Sequence, residues 1–242
     1  SGPNAPSGIA MLRGAQLLAD KINAEGGIHG HPLVLQPFDD RRNTEQAEKV
    51  AEQIGTSKDI VAVIGHGSST ASRAAGNLYR LYKVPAVTPT STNPNVTLFN
   101  PWYFRVIFND DLQANILAHY IKSVLNDSSV AVVHLEDLYA TTLNRTFTLT
   151  ADAIGLRIRH QIALPSQPSP EDIETAATLL AADGKTQAIL LILRPPQAKP
   201  LVQALRKRGV KAQLLGTDSL ALAGFAAEQD EAPMADLDPQ CC

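Results

Sequence analysis

The sequence predicts an α/β protein of two lobes, each a doubly wound parallel sheet, at residues 1–109 and 110–242. Three observations carry this. The spacing of apolar residues switches repeatedly between a helical and a strand period, the alternation that βαβ chains show. The run Ile60-Val61-Ala62-Val63-Ile64 is apolar without a break, as a parallel strand covered on both faces would be. A strand expected at Trp102 to Ile107 closes one series, and a fresh helix opens the next behind Asp110-Asp111.

The elements follow in order. Met11, Leu12, Ala15, Leu18 and Ile22 fall at helical spacing, and Gly26-Gly27 offers a left-handed stop. Leu33 to Phe38 reads as a strand. Asn43 stands three residues before Gln46, a capping-box spacing, with Ala47, Val50, Ala51 and Ile54 on one face of a second helix. The run at 60–64 belongs in the centre of a sheet; Gly65 to Ser69 breaks it, and a helix over Thr70 to Leu81 and a strand at Pro85 to Thr88 come next. In the second series a helix passes through Leu112, Ile116, Leu117, Tyr120, Ile121 and Leu125, followed by a strand at Val130 to His134 and a helix over Leu143 to Ala153. A strand at Ile158 to Leu164, a helix over Glu171 to Ala182, a strand at Ala188 to Leu193, a helix over Leu201 to Arg208 and a strand at Gln213 to Leu215 complete it.

Composition narrows the function. The 242 residues are 44% hydrophobic and 19% charged with a formal net charge of -3, so no broad basic field exists to gather nucleic acid or anionic lipid. Cys241 and Cys242 are adjacent, so no disulfide between them staples the body of a lobe. No apolar run approaches the ~20 residues that span a bilayer. No signal peptide opens the sequence, as expected of a mature or excised piece. An enzyme would need a nucleophile with its base, a metal cluster or a phosphate loop. The six histidines, His29, His31, His66, His119, His134 and His160, lack ligand spacing, and Gly65-His66-Gly67 lacks the rest of a dinucleotide fingerprint. A binding domain without metal or cofactor is therefore expected, and not an enzyme.

Several segments, in order and at normal spacing, carry a family likeness: Ser1-Gly2-Pro3-Asn4-Ala5, Asp20-Lys21-Ile22-Asn23-Ala24-Glu25-Gly26-Gly27-Ile28-His29-Gly30 and Phe38-Asp39-Asp40. Val63 to Thr70, Thr88-Pro89-Thr90-Ser91-Thr92-Asn93-Pro94, Val132-Val133-His134 with Tyr139, and Gly209-Val210-Lys211 leading to Gly216-Thr217-Asp218 continue it. Together they resemble the branched-chain amino-acid binding proteins, type I periplasmic binding proteins that serve ABC importers. The resemblance implies two α/β lobes that shut on a ligand. It also implies that lobe one is incomplete here, lacking an initial strand and the C-terminal return that members make after the Asp218 region. Arg42 and Ser68 stand where some members carry a first-lobe disulfide.

Ser68-Ser69-Thr70 lies between an apolar strand and a helix start, where hydroxyls and free N–H groups meet the positive end of the helix dipole, a setting suited to a carboxylate. Plain capping by Ser69 or Thr70 is the alternative. The resemblance gives Ser69 the ligand α-carboxylate, the Thr90 carbonyl the ammonium, and the Thr92 hydroxyl and amide the carboxylate. It gives Asp218 the ammonium, which needs a full negative charge when buried, and makes Tyr139 the aromatic that covers the ligand from lobe two. Ser7 and Arg194 replace two further family aromatics, which makes the cleft more polar; Arg194 either meets a second acid group on the ligand or reaches solvent. The implied function is an extracytoplasmic bacterial solute-binding protein that closes on an amino acid or close analogue and delivers it to ABC importer membrane subunits. The alternative is the sensor domain of a membrane receptor, or an amide-type regulator, with the same fold.

Overall fold

Residues 5–221 are described by a computed structural model, and the chain divides after Asn109 into two units, each with its own hydrophobic cluster. Cys241 and Cys242 lie outside the described residues.

In the first unit, α1 (Ala5–Ala24) runs a turn or more beyond its apolar pattern at its N-terminal end. It stops where predicted: Gly26 and Gly27 take φ of 102° and 76°, and a Cβ on Gly27 would lie 2.1 Å from the His31 carbonyl oxygen. The strand expected at Leu33 to Phe38 does not form. A strand exists only as a pairing, and this segment has no ladder partner among the described residues. Pro32 and Pro37 also have no N–H to give. The segment is held instead by the Asn23 side chain, which accepts from the Leu33 N–H at 2.6 Å and donates to its carbonyl at 2.9 Å.

Helix α2 (Thr44–Thr56) is capped by Asn43, whose side chain accepts from the Gln46 N–H, and it buries the four predicted residues. Strands β1 (Val63–Ile64), β2 (Ala86–Thr88) and β3 (Tyr103–Arg105) form a parallel sheet in that order, with α3 (Ser69–Tyr82) between the first two in the chain. The run at 60–64 is thus not a central strand. Only two of its residues pair, on one side alone, and Val61 and Ile64 are 79% and 61% exposed. Phe104 and Val106 are exposed as well. The paired helices α2 and α3 cover the side where Ile54, Ala75, Tyr79 and Tyr103 cluster.

The second unit carries the larger sheet among the described residues. It comprises α4 (Asp110–His119) with a π-helical turn (Tyr120–Val124), β4 (Ser129–Leu135), α5 (Leu138–Ala153), β5 (Arg157–Leu164), α6 (Pro170–Asp183), β6 (Ala188–Ile192), α7 (Pro195–Lys207) and β7 (Gln213–Gly216). Its parallel sheet has the order β5-β4-β6-β7. Every residue of β4 and β6 is buried, so these two strands are the ones covered on both faces.

Two helices start earlier than their apolar residues suggest. Helix α5 begins at Leu138 because Asp137 caps it, accepting from the Ala140 N–H at 2.9 Å. Helix α7 begins at Pro195, where prolines are preset for a first turn, six residues before Leu201. Helix α6 opens with a full capping box between Ser169 and Asp172. Because each sheet is parallel, the turns that leave β1 and β2 share one edge of the first sheet. Those that leave β4, β6 and β7 share one edge of the second, the carboxyl edge where open α/β sheets bind ligands.

Candidate functional site

At the carboxyl edge of the first sheet, the turn after β1 and the turn after β2 are stitched together. The carbonyl oxygen of His66 has three hydroxyls within reach, Ser72 at 3.3 Å, Thr88 at 3.1 Å and Ser91 at 3.2 Å. A carbonyl has two lone pairs, and Ser72 and Ser91 lie 2.7 Å apart, so one of them donates to the other while the remaining hydroxyls take the carbonyl. The Ser69 hydroxyl accepts from the Asn93 N–H at 3.3 Å, a second link between the turns. Arg105 on β3 donates to the carbonyls of Ser91 and Asn93 and to the Thr97 hydroxyl, fixing the second turn from behind.

The cap of α3 falls to Ser68, which accepts from the Ala71 N–H at 3.3 Å, and not to Ser69 or Thr70 as the plain reading of that turn had it. Ser69 is therefore the first helical residue. Its N–H and that of Thr70 have no acceptor within the helix, which leaves two donors at the positive end of the dipole. Thr92 carries a further open valence: its hydroxyl oxygen is shut from solvent and has no hydrogen-bond partner among the described residues. Thr90 is exposed, its N–H directed to the Thr88 hydroxyl.

The second edge gathers a different chemistry. Tyr139, 8% exposed on the first turn of α5, donates its hydroxyl proton to the Asp218 carboxylate at 2.5 Å. Its oxygen also lies 2.9 Å from the Thr217 hydroxyl. Thr217 meets Ser219, which donates to the Leu193 carbonyl, so the chain of hydroxyls ties the end of β7 to the end of β6. The Gln113 side-chain amide on α4 donates to Asp218 as well, while the Gln113 carbonyl oxygen is buried without a partner among the described residues.

Burial pushes the Asp218 carboxyl above its ordinary range, more than the hydrogen bonds from Tyr139 and Gln113 lower it. No described residue forms an ion pair with it. Burial, and then the neighbouring Asp218 charge, raise the Tyr139 phenol well above its usual value, so it remains a proton donor. Arg194 lies over the Tyr139 ring at 5.9 Å from its centre and is paired with Asp137. Its charge is thus already met from within this unit, and it does not simply reach for solvent.

The expected residues therefore fall into two sets. Ser68, Ser69, Thr90 and Thr92 belong to the joined turns of the first unit; Tyr139, Arg194 and Asp218 share one network in the second. Ser7 belongs to neither by any described bond, and it lies exposed on α1. Sequence reasoning missed Gln113, Asp137, Thr217 and Ser219 around Asp218, and Arg105 and Ser91 behind Thr92. Thr217 adjoins Asp218 and had a signal in plain view, whereas Gln113 sits 105 positions away on a helix and had none.

The sequence profile of a family described as periplasmic binding protein matches residues 1–233. An amino acid binding protein of Pseudomonas aeruginosa is 31% identical over 221 residues, 91% of this chain and 58% of that protein. The Leu/Ile/Val-binding protein BraC3 of Rhizobium johnstonii is 28% identical over 230 residues, 94% of this chain and 61% of that one. Among solved structures, the branched-chain amino acid transporter substrate binding protein LivJ of Streptococcus pneumoniae, in complex with isoleucine, superposes with a TM-score of 0.81 at 27% identity. That match covers 89% of this chain and 61% of LivJ. The chain thus spans about three fifths of the length of the relatives it matches.

Proposed function

Because the chain belongs to the periplasmic binding protein family, we propose that it binds an amino acid or a close analogue between two half-sites, one on each unit. The joined turns of the first unit take the α-carboxylate through the Ser69 and Thr70 N–H groups, the Ser69 hydroxyl and the buried Thr92 hydroxyl. The Thr90 carbonyl and the Asp218 carboxylate take the ammonium, and Tyr139 packs on the ligand body. Closure is driven by the ligand, because only the closed form completes both sets of contacts and the equilibrium shifts by the difference in affinity.

The observation that carries this reading is Asp218. A carboxylate that burial has made harder to ionise, aimed by two donors and given no cation among the described residues, is unfavourable until a cation arrives. An ammonium supplies it. Binding proteins named for amino acids among the relatives support the same ligand class. In the whole protein the bound ligand is handed outside the cytoplasm to the membrane subunits of an ABC importer, and no chemistry is performed on it. A thermal-shift screen over the twenty amino acids, their α-amides and aromatic carboxylates tests this, since a ligand that binds only the native state raises the melting point. A response confined to free amino acids, recovered unchanged afterwards, supports the proposal; a response to simple carboxylates lacking an amine defeats it.

A further inference from the structure

His66 is almost wholly buried three residues before Ser69, and both of its ring nitrogens are engaged. Nδ1 lies 2.7 Å from the Asp40 carboxylate and Nε2 lies 2.9 Å from the Tyr79 hydroxyl. The Asp40 carboxylate can only accept, so the ring donates from Nδ1, while Nε2 bonds the Tyr79 hydroxyl, whose ring stacks on the imidazole at 5.8 Å. The same residue is gripped through its backbone. Its N–H donates to the Tyr103 hydroxyl at 3.0 Å, that hydroxyl donates to the Gly65 carbonyl at 2.7 Å, and the His66 carbonyl accepts from Thr88 and from one of the mutually bonded Ser72 and Ser91 hydroxyls.

Every polar atom of His66 is therefore held, from α3, β2, β3 and the turn after β2, and by Asp40 from the segment before α2. That segment forms no strand, so Asp40 is what joins it to the turn by a side-chain bond, and the N–H of Arg42 in turn fixes the Asp40 carboxylate at 2.8 Å. Burial raises the Asp40 carboxyl, but the bond from His66 and the Arg42 N–H outweigh it and leave it below its ordinary value, as for a carboxylate held charged.

We infer that Asp40 and His66 are positioning residues: the pair sets the orientation of the 66–70 turn and so the aim of the Ser69 and Thr70 N–H groups, without touching the ligand. The role in binding rests on the proposed function, while the orientation of the turn does not. A carboxylate bound by aimed N–H donors loses affinity steeply when the donors tilt, because hydrogen bonds weaken quickly away from linearity.

Asp40→Asn removes the charge and the obligate acceptor, and His66→Gln removes the ring; Asp40→Glu restores a carboxylate as the conservative control. Two measurements on the intact protein test the pair. Hydrogen exchange at the amides of residues 66–70 reads the turn directly, with α6 as an internal reference. Calorimetry with the amino acid that most raises the melting point, and with its α-amide, reads carboxylate recognition. Asp40→Asn and His66→Gln are expected to speed exchange at 66–70 but not in α6. They should also lower the affinity ratio of acid to amide by about tenfold, the scale of one lost hydrogen bond to a charged group, with Asp40→Glu recovering part of it. Unchanged exchange at 66–70 overturns the inference whatever the ligand does. If exchange quickens but the ratio holds, the pair orients the turn without serving recognition, and the positioning role is refuted. If the wild-type protein itself fails to distinguish acid from amide, the carboxylate reading fails separately, and the role in binding falls with it.

Discussion

Asp218→Asn removes a charge while keeping the side chain's shape, and two consequences of opposite sign follow. For binding, an ammonium facing a carboxylate that Tyr139 and Gln113 hold in place forms a charge-assisted hydrogen bond worth about 1.5–3 kcal/mol. Its loss corresponds to a weakening of roughly 10- to 150-fold. For the unliganded protein, burial lifts the carboxyl above its ordinary range. The native state then takes up its proton at a higher pH than the unfolded chain does. Ionised Asp218 thus costs stability at neutral pH, a cost that disappears as the pH falls through the raised value. Asparagine still offers Tyr139 an acceptor and carries no charge to bury, so the variant should melt no lower than the parent at pH 7. The expected signature is weaker binding in calorimetry beside an equal or higher melting temperature in a calorimetric scan. Wild-type affinity should also decline on acidification at a higher pH than an exposed aspartate would dictate. Unchanged affinity would refute the assignment of the ammonium to Asp218; a melting temperature that drops with the affinity would show a carboxylate needed by the fold instead.

Thr92→Val replaces a shielded hydroxyl that has no partner among the described residues with a methyl of similar size. Unliganded stability should hold or rise by up to about 1–3 kcal/mol, while calorimetry shows weaker amino-acid binding. The Arg159 guanidinium, and then the Thr186 hydroxyl, hold the Asp183 carboxyl well below its usual range. Asp183→Asn should therefore lower the denaturation midpoint near pH 7, and the gap from wild type should close as the pH drops below the unfolded-state value of about 3.9. Phe147 on α5 is fully buried in the second unit's cluster, so Phe147→Ala should cost about 3–5 kcal/mol in denaturant titrations.

How legible each unit was depended on how fully its strands are paired. The second unit's elements read cleanly because β4 and β6 are buried at every position, and unbroken apolar runs mean what they suggest there. The same signal at Ile60 to Ile64 misled, since a run of apolar residues reports a tendency to be covered and not the cover itself. Leu33 to Phe38 failed for the same reason: pattern cannot supply a neighbouring strand. Helix starts at Leu138 and Pro195 escaped because caps and prolines, rather than apolar spacing, set them. At the candidate site, turns and their hydroxyl residues were legible as local sequence. His66, treated as one of six scattered histidines, was not, because its partners Asp40, Tyr79 and Tyr103 are distant along the chain and meet only through folding.

The hydroxyl relay from Tyr139 through Thr217 and Ser219 to the Leu193 carbonyl ends one residue short of Arg194. Small hydroxyls and backbone thus hold the end of β7, while Arg194, itself held by Asp137, bears on the same tyrosine through its ring. Exchanging Arg194 would leave Asp137 without its cation and uncover the ring of the tyrosine that aims Asp218, so a change at one position of this network reaches the carboxylate two contacts away.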